Sequence, residues 1–110
     1  MPNTFKRKLS TNVSNTFASV GSYTVGAATQ VTVIGLSVAN KTTGQIFVDA
    51  TLDTGSSNTH LIKDAPVPSG STLVIVGGDQ KVVLETSDRI LVKSDTANSA
   101  DVIMSILEIT

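Results

Sequence analysis

The sequence contains no cysteine, and that absence excludes disulfides, thiolate metal centres and cysteine nucleophiles together. Its one histidine, His60, gives no material for a histidine-built metal site, and no cofactor is expected. Tryptophan is missing as well, and the aromatic residues are few: Phe5, Phe17, Tyr23 and Phe47. Sugar platforms and single-strand nucleic-acid grooves both rely on exposed aromatics, so neither class finds support here. No apolar run approaches the roughly 18–20 residues that a membrane-spanning helix needs. No stretch of about a dozen residues keeps the 3.6-residue period of an amphipathic helix. Charge is scarce too, at 15% of residues against about 25% in an ordinary soluble domain.

Ser, Thr and Asn take the place of the missing charges. Such a surface stays hydrated but repels its neighbours weakly, which suits a chain packed against copies of itself or a partner. The net charge of −1 is unevenly spread. The first forty residues hold Lys6, Arg7 and Lys8 and no acidic group, while every Asp and Glu falls later. The basic cluster runs into the polar Leu9-Ser10-Thr11-Asn12, not into an apolar stretch, so a secretory signal is not expected. The sequence reads as a soluble, non-secreted chain in two parts. Residues 1–19 form an extended basic N-terminal arm, and residues 20–110 form one domain. Phe5, Lys6, Arg7 and Lys8 are the candidate partner-binding residues, an apolar anchor beside three cations.

Two-residue periodicity dominates the rest. Ile46, Val48, Ala50 and Leu52 alternate with Phe47, Asp49, Thr51 and Asp53, as in a half-buried strand. Residues 30–40 read as a longer strand whose apolar phase slips near Gly35, the mark of a bulge or of burial on both faces. Lys41-Thr42-Thr43-Gly44 is expected to join these two strands as a hairpin. Further strands are expected at 20–25, 59–64, 72–76, 81–85, 89–93 and 102–109. Gly77-Gly78-Asp79 would turn 72–76 into 81–85; with no helix behind it, it is not a phosphate loop. Ala65-Pro66-Val67-Pro68-Ser69-Gly70 reads as a rigid crossing loop, because proline cannot donate to a ladder. The strand at 102–109 is apolar on both faces except Ser105 and Glu108, which places it in the centre of a sheet. The expected fold is all-β, about eight antiparallel strands in a sandwich of jelly-roll or Greek-key type.

One segment has the look of chemistry. Ala50-Thr51-Leu52-Asp53-Thr54-Gly55-Ser56-Ser57-Asn58 resembles the active-site signature of aspartic proteases. In that family two such aspartates share a proton across a two-fold axis, so a homodimer with one Asp53 from each subunit is the enzymatic alternative. The surroundings do not follow the family. Val74-Ile75-Val76-Gly77 comes too soon after Asp53 to leave room for a flap, and about fifty residues precede the aspartate. Asp, Gly, Ser and Asn are also what a plain turn between two strands requires. His60 beside Ser56, Ser57 and Asp53 suggests a triad only by proximity in sequence, with no nucleophile elbow or oxyanion loop. No catalytic residue is assigned on this reading.

The second half carries a resemblance. Lys63-Asp64-Ala65-Pro66-Val67-Pro68-Ser69-Gly70 leads into Ser71-Thr72-Leu73-Val74-Ile75-Val76. Gly78-Asp79-Gln80-Lys81-Val82-Val83-Leu84-Glu85 and Ser87-Asp88-Arg89-Ile90-Leu91-Val92 follow. This order of turns and strands resembles the small β-sandwich structural proteins of tailed bacteriophages, those of marine cyanophages in particular. Ser87 stands where such proteins commonly have Gly. The resemblance implies a virion component that forms homo-oligomers and packs against major capsid or neck and tail subunits. The residues themselves give no expectation of an enzyme or a membrane partner, and the single short basic stretch Phe5-Lys6-Arg7-Lys8 makes nucleic acid an unfavoured partner. A receptor- or glycan-binding module is the remaining alternative.

Overall fold

Two antiparallel sheets pack face to face in the computed structural model, which describes residues 3–77 and 80–110. The strands are β1 (Asn3–Val13), β2 (Ala18–Ser19), β3 (Gln30–Asn40), β4 (Ile46–Asp53), β5 (Asn58–Val67), β6 (Thr72–Val76), β7 (Val82–Leu84), β8 (Arg89–Ser94) and β9 (Ala100–Ile109). One sheet has the order β1-β9-β3-β6, with β7 also on β3; the other has the order β2-β8-β4-β5. The fold is therefore all-β and a sandwich, as the two-residue period implies.

β6 and β7 lie end to end along the same side of β3. Val76 to Thr72 oppose Leu36 to Ala39, and Val82 to Leu84 oppose Val33 to Val31. They act as one interrupted edge strand, not as the hairpin expected from Gly77-Gly78-Asp79; Gly78 and Asp79 lie outside the described residues. With that pair counted as one strand, eight remain, ordered 1-8-3-6 and 2-7-4-5. Apart from the β4–β5 hairpin, successive strands alternate between sheets in the manner of a jelly roll.

Three other expectations are corrected. The segment 41–45 is a crossover between sheets rather than a hairpin, since β3 and β4 belong to different sheets. Asn40 makes that crossing. Its buried amide donates to the Gly44 and Val67 carbonyls at 2.8 and 2.9 Å and accepts from the Thr42 amide at 2.9 Å, so the turn is closed by a side chain. Residues 20–25 form no strand, because Gly21 and Ser22 adopt φ of 62° and 55° and break the extension. Val20 and Val25 are nonetheless buried, and Val25 is pinned to Asp88 and Ser87 by backbone bonds of 3.0 and 2.8 Å. Finally, Ala65, Pro66 and Val67 belong to β5. β5 is an edge strand, where a missing N–H costs no ladder bond if it faces outward.

Inward-facing residues of both sheets form one core rich in valine: Val31, Val33, Leu36 and Val38 of β3, Val48 and Ala50 of β4, and Val102, Met104 and Ile106 of β9. β-branched residues suit such a core because their stiff side chains lose little freedom in a strand. The slip of phase near Gly35 is a real bulge, with a register shift against β9 between Val33 and Gly35. It lets Val31 and Val33 point inward before it and Leu36 and Val38 after it.

Residues 3–13, within the expected arm, run along β9 of the same chain, from Asn3 opposite Ile109 to Ser10 opposite Val102. Ala18 and Ser19 pair with β8 in the other sheet. The first nineteen residues thus give one strand to each sheet.

Candidate assembly surface and the Asp53 turn

Asp53 ends β4 and opens the hairpin to β5, opposite Asn58 and Arg89. Its Oδ1 accepts the Gly55 amide at 3.0 Å, and its Oδ2 accepts Nε of Arg89 at 2.6 Å. The Gly55 amide first, and Arg89 second, hold this carboxyl below the usual carboxylate range. A protease dyad needs the opposite condition, a proton retained because a second carboxylate stands close. Gly55 sits at φ 90°, which a side chain would strain, and Thr54 closes the turn by donating its amide to Ser57 at 3.0 Å. The hydroxyls of Ser56 and Ser57 lie beside Thr54 Oγ1, at 3.4 and 3.2 Å. His60 faces Asp49, 4.0 Å away, and not these serines. The chemistry of this corner is that of a turn fastened by an ion pair. Among the described residues no three His, Asp or Glu side chains are grouped to hold a metal ion.

The strand period divides the cluster Phe5-Lys6-Arg7-Lys8 into two pairs. Lys6 and Lys8 oppose the inward residues Ile106 and Met104 of β9 and lie along the mouth of the sandwich. Lys6 Nζ is 3.0 Å from Glu108 Oε1, the Tyr23 hydroxyl donates to Glu108 Oε2, and Lys8 Nζ lies 4.8 Å from the centre of the Tyr23 ring. The Tyr23 hydroxyl and then Lys6 lower the Glu108 pKa; burial beside that carboxylate raises that of Tyr23. These two lysines therefore fasten β1 to its own domain. Phe5 and Arg7 oppose Leu107 and Ser105 on the other side, where Phe5 is 75% exposed. Arg7 has no ion-pair partner among the described residues.

Register places Phe5 and Arg7 on a broad apolar face, the outer side of the five-stranded sheet. One row across the strands reads Leu9, Ile103, Ser37, Val74; another reads Phe5, Leu107, Thr32, Val83. Between them Ser105 and the bulge at Ile34 leave a shallow groove of about 360 Å³, lined also by Phe5 and Arg7. Ile103 is 53% exposed, Val74 63% and Val83 60%. These residues did not stand out as site residues in the sequence. Their signal was present in the doubly apolar strand at 102–109. β9 is indeed flanked by β1 and β3, but a two-layer sandwich buries one face of each sheet, so the second apolar face is left exposed.

No family model matches the sequence, and no curated protein matches it. Among solved structures, one described as "Bacillus endospore appendages form a novel family of disulfide-linked pili" superposes on 96% of this chain and 86% of its own, with a TM-score of 0.50 and 14% identity. The likeness is one of fold.

Proposed function

We propose that this chain is a non-enzymatic structural subunit of a tailed-phage virion, an accessory protein packed on the particle surface against capsid or neck and tail proteins. The observation that supports it most directly is the exposed apolar face formed by Phe5, Leu9, Ile103, Val74 and Val83, on a chain whose charge is otherwise sparse. Large exposed apolar side chains on neighbouring strands mark a surface built to be covered. Jelly rolls serve capsids, lectins and other roles, so the architecture alone does not choose among them. The phage setting comes from the resemblance of the turns and strands between about Tyr23 and Thr110. The endospore appendage protein is described as forming disulfide-linked pili; this chain has no cysteine, so repetition of its subunits would rest on non-covalent contacts. A glycan platform is less favoured, because the Tyr23 hydroxyl is already bonded to Glu108. The protease reading is less favoured because both Asp53 oxygens are engaged within the chain.

The test is quantitative mass spectrometry of purified particles from the source. Many copies per particle are expected. Absence from the particle overturns the proposal and makes Asp53→Asn, assayed for loss of proteolysis, the next experiment.

A further inference from the structure

Resting on the reading of the chain as a structural subunit, we propose that two copies meet face to face through the outer side of the five-stranded sheet. The occupant of that face is a second copy of this chain. Four positions lie across the sheet at about 4.8 Å spacing, and residues 101–109 run about 27 Å along it, which gives roughly 500 Å² in projection. Two such faces remove about 1,000 Å² from water, the lower limit of area for a specific interface. The face is also suited to itself. Its two apolar rows flank a low line at Ser105 and Gly35, and sheets with such faces stack about 10 Å apart.

Other surfaces of the chain are guarded against self-association. The outer side of the β2-β8-β4-β5 sheet carries the Asp53–Arg89 pair at 2.6 Å, His60 facing Asp49, and Lys93 over the Phe17 ring. The β5 edge is interrupted by two register shifts against β4 and carries Lys63, Asp64 and Pro66, features that block edge-to-edge pairing. The free edge of β1 carries Lys6, Arg7 and Lys8, so pairing it with its own copy would set cation against cation. Arg7 also fixes the orientation of the facing pair. A two-fold axis along the strands puts Arg7 of each copy over the far side of the other, beyond the reach of like-charge repulsion. An axis across the strands would stack the two Arg7 side chains. In the favoured arrangement Leu9 lies over Val74 of the partner copy and Phe5 over its Val83.

Sedimentation equilibrium of the full chain tests the proposal. The wild type is expected to show a concentration-dependent dimer. Ile103→Lys and, at the other end of the face, Val83→Lys are each expected to weaken it by roughly thirtyfold or more, as loss of a buried interface anchor does. Both positions are exposed in the single chain, so the fold survives, which circular dichroism verifies. Phe47→Lys, on the opposite sheet, is the control and leaves the dimer intact. A wild type that stays monomeric, or a dimer that neither lysine variant weakens, overturns this interface. Either result leaves the structural-subunit reading standing if particles still contain the chain; absence from particles overturns both.

Discussion

Ile103 and Ile106 lie three residues apart on β9 and face opposite ways, so truncating each to alanine should have opposite consequences. Ile106 is 0% exposed and packs among the core residues of both sheets. Its truncation removes three buried carbons and leaves a cavity that stiff valine neighbours cannot fill, at a cost of about 2–5 kcal/mol. With a urea dependence of roughly 1.5 kcal/mol per molar for a domain of this size, the unfolding midpoint should fall by about 1.3–3.3 M. Ile103 is 53% exposed and touches water in the single chain. Its truncation forfeits about half of a side chain's transfer free energy, about 0.8–1.5 kcal/mol, and moves the midpoint by about 1 M or less. Self-association should show the reverse: Ile103→Ala weakens it, and Ile106→Ala retains it under conditions where the domain stays folded. Urea titrations followed by circular dichroism at concentrations below dimerisation give the stability values. Equal loss of stability in the two variants would refute the assignment of the faces, and with it the exposed apolar surface.

Three further outcomes are expected. Gly21→Ala should destabilise by about 1–3 kcal/mol, because Gly21 has φ 62° and an added Cβ would lie 2.9 Å from Lys8 Cβ and 3.2 Å from the Leu9 amide; an unchanged melting temperature contradicts this. Tyr23→Phe keeps the ring under Lys8 but removes the donor to Glu108, costing about 1 kcal/mol and hastening amide exchange in residues 3–9, whereas unaltered exchange there refutes the fastening role. Asp53, Asp101 and Glu108 all have folded pKa values below their ordinary ones, through Gly55 and Arg89, the Asn12 amide and Lys41, and Tyr23 and Lys6 respectively. Their contribution is complete above the ordinary carboxylate pKa and is lost as pH falls through the lowered folded values. The urea midpoint should therefore drop on acidification through that range, with a shallower drop in Asp101→Asn; a midpoint that rises on acidification contradicts the sign.

β3, β4 and β6 could be read from the sequence to the residue, since each is a clean run of alternating or β-branched residues between turn formers. What connected them could not. The hairpin expected at 41–44 and the crossover found there share the same turn residues; the difference is the Asn40 side chain reaching Val67, a partner 27 positions away. β6 and β7 looked like a hairpin because a glycine pair lies between them, yet both pair with β3. Local sequence marks where a chain turns and is silent on which strand it meets next. The cluster at Phe5–Lys8 was visible as a group, but its division into two fastening lysines and two outward residues depends on register with β9. The apolar face was half visible: a strand greasy on both sides reads as the centre of a sheet, and β9 does lie between β1 and β3. That only one of its two faces meets the core follows from the two-layer fold, which the local pattern does not show.

The most direct test of the account is electron cryomicroscopy of intact particles from the source. The account predicts repeated jelly-roll density on the particle surface, with the Phe5–Ile103–Val74 face covered by a neighbouring subunit and the Asp53 turn open to solvent. Density in which that face lies bare while the β2-β8-β4-β5 sheet makes the contacts, or particles without this fold, would contradict it.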